Sequence, residues 1–351
     1  MRLRALTHVR GNVGWGAPVR LYLTSFLVVG LALSVLGQAL TEPRERSGSD
    51  IGDIGRLFVG QSLGYIAGSV VGGRALDRFD GHRVFALSLL VLGGGLALVS
   101  MVGGLAGLFV AFTIIGLGAS VADLGANTLL MWELGSAGGR AMNMLHLCFG
   151  VGALVAPLSV HLGLDVATRI AALACCGLAM WARLSASPAA PRQARDEHTA
   201  TTTRILVLLG AFFAIYVGLE IGFAGWIFTY GEEIAFSPLA ATWLTTVFWI
   251  GFTLGRLLAS VAAQRVAPAR MLVASAPQFP AMMNRAEERI HVTGNATRWF
   301  IGGAGVGGLV FPWLIGQWFD ASGAAALPSA MLVFGAVTFA SFAVANRALD
   351  R

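Results

Sequence analysis

Long apolar runs separated by short, arginine-bearing polar segments set the pattern of this chain. Runs of roughly 20 such residues are long enough to cross a bilayer as helices. Ten membrane-crossing helices are expected, over 21–40, 57–76, 84–102, 105–132, 141–162, 166–184, 205–230, 240–263, 297–318 and 325–346. Each run is too long and too evenly apolar for the alternating strands of a membrane barrel. The stretch 185–203 is rich in Ala, Pro, Thr and charge and carries no apolar period, so it is expected to link two halves.

The two halves resemble each other. Gly150-Val151-Gly152-Ala153-Leu154-Val155-Ala156-Pro157 matches Gly305-Val306-Gly307-Gly308-Leu309-Val310-Phe311-Pro312. Gly64, Gly68, Arg78 and Arg83 match Gly251, Gly255, Arg265 and Arg270. Duplicated halves in an apolar chain point to a transporter. The copies are unequal. Two spans separate Arg83 from Glu133, whereas their counterparts Arg270 and Glu288 leave room for none. Met271 to Met283 is apolar but short, and it contains Pro277 and Pro280, so it is expected to form a re-entrant or interfacial stub near 271–284. The expected domains are a six-helix bundle over 1–184, the linker over 185–203, and a second bundle over 204–351 shortened by one hairpin.

Composition supports a membrane protein. The chain is 56% hydrophobic and 12% charged, with a mean hydropathy of +0.74; a soluble domain carries about 25% charged residues. All 24 basic residues are arginine, and most lie in short segments between runs rather than on a face interleaved with stacking aromatics. No nucleic-acid partner is therefore expected. Placing both termini in the cytoplasm puts most of these arginines on one side, as the positive-inside rule requires, and a multi-pass position in the cell (inner) membrane follows. The N-terminal arginines precede a run too long for a signal-peptide core, so that run is expected to be an uncleaved first span. Cys148, Cys175 and Cys176 have no metal-ligand or disulfide spacing, and neither a metal nor another cofactor is expected.

A few polar groups interrupt the apolar runs. Asp123 and Glu220 are the acids deepest in spans, where an ionisable group is costly and marks function by default. Asp123 and Asn127 share one helix face, and Asn143 and His146 share another. Counted outward from the intervening loop near Gly135 to Gly138, Asp123 and His146 fall at similar depth, so the four are expected to converge on one cavity wall. Helix–helix hydrogen bonding is the competing reading. Glu220 followed by Trp226 suits a sugar wall, the carboxylate accepting hydroxyls and the indole packing on the ring face; Trp226 fits an external aromatic belt equally well. Gln61 is a further binding candidate. A carboxylate at this depth can carry a proton between sides, and Asp123 is the preferred carrier, with Glu220 second and a sodium ion as the alternative cargo. No serine–histidine–acid order, metal cluster or phosphate loop is present, so no enzyme is expected.

Gly73-Arg74-Ala75-Leu76-Asp77-Arg78-Phe79-Asp80-Gly81-His82-Arg83 resembles the loop motif that follows the second helix in the major facilitator superfamily. The resemblance implies an all-α, two-bundle membrane fold that lacks the ninth and most of the tenth of twelve helices. It also implies a gating role for Gly73, Asp77, Arg78, Gly81 and Arg83. Four patches resemble, more narrowly, the fucose-permease-like and sodium-dependent glucose transporter-like sugar carriers. They are Asp123 to Thr128, Asn143 to Gly150, Glu220 to Trp226, and Gln278-Phe279-Pro280. The expected function is secondary active transport of a sugar or similar small polar solute by alternating access, coupled to H+ or Na+. A drug or metabolite exporter of the same fold and a non-transporting degenerate member are the alternatives.

Overall fold

The structure, a computed structural model, describes residues 15–38, 46–48, 56–160, 163–190, 200–262, 278–290 and 292–350. It is all-α among these residues. The helices are α1 (Ala17–Gln38), α2 (Arg56–Arg78), α3 (Gly81–Val99), α4 (Leu105–Leu134), α5 (Gly139–Val160), α6 (Leu164–Leu184), α7 (Ala200–Glu233), α8 (Pro238–Ala262), α9 (Gln278–Ile290), α10 (Gly294–Ser322) and α11 (Ala326–Asp350). Eight of them are long and apolar enough to cross a membrane; α2 is more polar, and α8 carries a shorter apolar stretch, Thr246–Leu258. The ten long helices match the ten expected spans. The linker expected over 185–203 gives way to helix at Ala200, where α7 begins, and 191–199 lie outside the described residues.

The helices form the two-bundle fold. In the first half α2 packs on α4, α1 on α5, and α3 on α4 and α6; in the second, α7 packs on α8, α10 and α11. The halves meet chiefly where α2 packs on α10 and α5 on α8, with further contacts of α4 on α10 and of α5 on α9. Small residues set these distances, because lipid supplies no hydrophobic drive between helices. The duplicated motif does the same job twice. A Cβ at Gly152 on α5 would overlap the Leu27 carbonyl of α1, and one at Gly307 on α10 would overlap the Ala214 carbonyl of α7.

The missing hairpin is visible as an unmatched glycine. Gly64 on α2 lies against the backbone of Thr113 and Leu117 on α4. Its counterpart Gly251 on α8 has nothing within 4 Å of where its Cβ would be, among the described residues. What remains of the tenth helix is the 13-residue α9. Its first half, Gln278 to Asn284, is buried, touching α5 of one half and α7 and α11 of the other. An interfacial position for this part is therefore corrected. Phe279 enters an aromatic group with His146 at 4.6 Å and Phe213 at 4.5 Å between ring centroids, and burial of that group holds α9 inside. Residues 271–277 of the expected stub lie outside the described residues.

The close approach at the duplicated motif gives a test. Gly152→Val or Gly307→Val is expected to force α5 from α1, or α10 from α7, and to cost at least about 2 kcal/mol. Thermal unfolding of the purified protein in detergent checks it.

Candidate functional site

Helix α4 ends at Gly135, whose φ of 54° only glycine adopts readily, and a short turn, Gly135–Gly138, sends α5 back antiparallel. This reversal brings the two polar faces of α4 and α5 to one depth. Asp123 on α4 accepts a hydrogen bond at Oδ2 from the Tyr65 hydroxyl of α2. Its Oδ1 accepts from Asn127 Nδ2 at 2.7 Å, and the same Nδ2 also reaches the Asp123 carbonyl at 3.0 Å. With its amide nitrogen turned to Asp123, Asn127 presents Oδ1 to His146 Nε2, 3.3 Å away on α5. That acceptor fixes the histidine tautomer, with the proton on Nε2. Asp123, Asn127 and His146 are all buried.

The chain of contacts continues into the second half through Arg256 on α8. Its Nη1 donates to the His146 carbonyl at 3.1 Å, and its Nη2 pairs with Glu220 Oε1 on α7 at 3.3 Å. The guanidinium also lies over the Phe252 ring, 4.3 Å from its centroid. Arg256 is 3% exposed and Glu220 10%. Two opposite charges removed from water at this depth each need the other. Tyr216, one turn before Glu220 on α7, is buried there too.

The remaining candidates divide. Gln61 lies one turn from Tyr65 on α2 and reaches the Leu33 carbonyl of α1 at 3.4 Å. Asn143 donates to the Gly139 carbonyl of its own helix at 2.9 Å, and its buried Oδ1 has no partner among the described residues. Trp226 stands apart. Its Nε1 donates to the Pro312 carbonyl on α10 at 2.8 Å and its ring stacks on Phe319, so it ties α7 to α10 rather than joining Glu220.

The loop motif lies at the arginine-rich end. Asp77 Oδ1 accepts from the Gly294 backbone N–H at the start of α10, 2.8 Å away, a favourable place for an acid. Gly73 on the same face meets Gly294 and Arg298. Thr128 bonds Thr297 at 2.8 Å and Trp132 bonds the Val292 carbonyl at 3.1 Å, which closes the halves together at this end. Gly81 opens α3 against Leu129, while Arg78 and Arg83 are exposed. Asp80 caps α3 by accepting from the Arg83 N–H at 2.9 Å.

Arg256 and Tyr65 are the residues that sequence reasoning passed over. The signal for Arg256 was available: it is the charge inside Thr246–Leu258, and the argument that singled out Asp123 and Glu220 applies to it unchanged. Tyr65 gave no signal, since a tyrosine within an apolar run is ordinary.

Two helix bundles meeting at a buried polar chain define a multi-pass membrane transport protein. The chain belongs to the Major Facilitator Superfamily, whose profile matches residues 21–350. It is a transporter and not an enzyme. It is similar to sodium-dependent glucose transporter 1A of Mus musculus, 23% identical over an alignment 370 residues long, gaps included, that covers 83% of this chain and 87% of the mouse protein. Among solved structures it resembles the superfamily transporter FucP in its outward conformation, with TM-score 0.77 and 17% identity over 95% of this chain and 99% of FucP. It also resembles the proton:xylose symporter XylE, with TM-score 0.71 and 12% identity over 93% of this chain and 94% of XylE. At these identities the two structures establish the fold.

The Arg256–Glu220 pair makes an asymmetric prediction. Arg256→Gln leaves a buried carboxylate unpaired and is expected to cost about 3–5 kcal/mol, whereas Arg256→Gln with Glu220→Gln recovers most of that loss. Unfolding midpoints of the single and double variants in detergent decide it.

Proposed function

We propose that this transporter is a secondary active carrier of a sugar or similar small polar solute, coupled to H+, and that it works by alternating access. The observation that carries the proposal is the polar chain from Tyr65 through Asp123, Asn127, His146 and Arg256 to Glu220, which crosses between the halves within the apolar spans. In this reading the bundles on either side of the segment between α6 and α7 are the two rocking lobes, and that segment joins them. Both termini face the cytoplasm, and the membrane is the cell (inner) membrane.

The two carboxylates differ in a way that suits different tasks. Glu220 is neutralised by Arg256, so this pair can exchange partners with solute hydroxyls without leaving a bare charge. Asn143, Gln61 and the Asn127–His146 pair supply further donors and acceptors nearby on α5, α2 and α4. The bonded partners of Asp123 are a phenol and an amide, both neutral. A proton compensates its charge during part of the cycle; sodium is the second candidate ion, and the name of the mouse relative favours testing it. Asp77 at the start of α10, with Gly73, is the proposed gate at the arginine-rich end, and Arg78, Gly81 and Arg83 belong to the same loop. Trp226 serves this reading as a brace between α7 and α10.

The test is uptake of D-glucose, L-fucose and D-xylose into proteoliposomes under an imposed proton gradient and, separately, a sodium gradient. Accumulation of one sugar under one gradient is expected. Asp123→Asn is expected to abolish gradient-driven accumulation while sugar exchange without a gradient persists. Accumulation by Asp123→Asn at the wild-type level removes this carboxylate from coupling, and no uptake of any sugar by the wild type removes the sugar-carrier reading.

A further inference from the structure

The leading glycines of the duplicated motif lie where α5 and α10 meet the helices that carry the two donors. Gly150 on α5 faces α8 of the other half, where a Cβ would stand 2.7 Å from Thr253 Oγ1. One turn before Gly150 is His146, whose carbonyl receives Arg256. Gly150 thus lets α8 come close enough for the guanidinium to reach the α5 backbone. Gly305 on α10 faces α2 of the other half, where a Cβ would stand 3.0 Å from Ile66 Cγ1 and 3.2 Å from Tyr65 Cδ1. Tyr65 is the donor to Asp123.

The two glycine contacts are copies of one plan, since Ile66 on α2 matches Thr253 on α8; the donors are not, since Tyr65 matches Phe252 and Arg256 matches Ser69. In each half a donor and its acid sit on the same bundle: Tyr65 with Asp123 on α2 and α4, and Arg256 with Glu220 on α8 and α7. In each case the donor lies against the motif helix of the opposite bundle: Tyr65 next to Gly305, and Arg256 on the His146 carbonyl one turn before Gly150. A change at either acid therefore reaches the contact between the bundles through one side chain. The two contacts are also joined, because His146 holds Arg256 by its carbonyl and Asn127, hence Asp123, by its ring.

We propose that Tyr65, seated at Gly305, and Arg256, held on the α5 backbone one turn before Gly150, are positioning residues that transmit loading of Asp123 and of Glu220 to the seam between the bundles. The inference rests on the carrier reading above. When Asp123 takes a proton or Glu220 a solute hydroxyl, its donor loses or changes its acceptor, and the seam helix beside that donor is released. A Cβ at Gly305 would press on Ile66 and on the Tyr65 ring, and one at Gly150 would press on Thr253, one turn before Arg256, so glycine keeps both seams close. The charged and titratable groups that face the pair are Asp123 on α4, His146 on α5, and Tyr216 and Glu220 on α7. Asp77 and Arg298 lie further along the same seam, at the arginine-rich end.

Hydrogen exchange in detergent, at about pH 6 and about pH 8 and corrected for intrinsic rates, tests this directly. In the wild type, segments 145–152 of α5 and 302–308 of α10 are expected to open at least about fivefold more readily at one pH than at the other. Tyr65→Phe, which keeps the ring and removes only the hydroxyl, is expected to remove that difference in the α10 segment. Gly305→Ala, which alters no polar group, is expected to do the same. Arg256→Gln is expected to remove the difference in the α5 segment. Equal pH responses in the wild type, Tyr65→Phe and Gly305→Ala overturn the proposal, as does a wild type with no pH response in either segment. On the transport side, Tyr65→Phe is expected to lose gradient-driven accumulation and to keep exchange of whichever panel sugar the wild type accumulates. If the wild type carries none of the three sugars, the carrier reading fails while the exchange measurement still decides the role of the pair.

Discussion

Everything at the centre of this protein is organised by the cost of holding charge away from water. Arg256 and Glu220 are both withdrawn from water inside the spans, and each stands 3.3 Å from the other as its counter-charge. Asp123 is handled differently, by a phenol and an amide that solvate it without cancelling its charge. Asn127 is turned by that demand, and its orientation fixes the proton on His146. One electrostatic constraint thus propagates through six side chains on five helices.

The second constraint is the distance between backbones. A polar chain of this length closes only if the helices bearing it come nearer than bulky side chains allow. The duplicated motif supplies that nearness within each bundle at Gly152 and Gly307 and between bundles at Gly150 and Gly305. Duplication therefore explains more than the presence of two similar halves. It places equivalent close contacts at equivalent depths, so that two different acids end up beside the same kind of seam. The lost hairpin breaks this symmetry at α8, where Gly251 meets nothing among the described residues, while α9 packs around Phe279.

The order and number of long helices were legible because a span announces itself by length and apolarity, and the repeat was legible because close approach demands glycine. Asp123, Asn127 and His146 were legible as a group because helical spacing and a glycine turn fix relative depth on α4 and α5. Contacts between the bundles were not, since no local period records which face of α8 meets α5. Arg256 was overlooked for this reason: arginines were counted as markers of sidedness, and one inside a span is invisible to that count. Trp226 shows the converse. Its nearness to Glu220 in sequence suggested a shared wall, but six residues along a helix turn the indole to another face, toward Pro312. The burial of α9 was likewise out of reach, because a short amphipathic segment with prolines suits an interface as well as a cleft.

The unequal solvation of the two acids has an electrical consequence. With Glu220 and Arg256 summing to zero, the charge left on this group of residues is that of Asp123 alone. Under the proton coupling proposed above, a proton on Asp123 erases it, and the occupied protein moves without sensing the membrane voltage. Once the proton leaves, the returning empty form carries one negative charge, and its passage is worth about 2.3 kcal/mol per 100 mV for a full crossing. Voltage in such a cycle acts on the reset and not on the delivery.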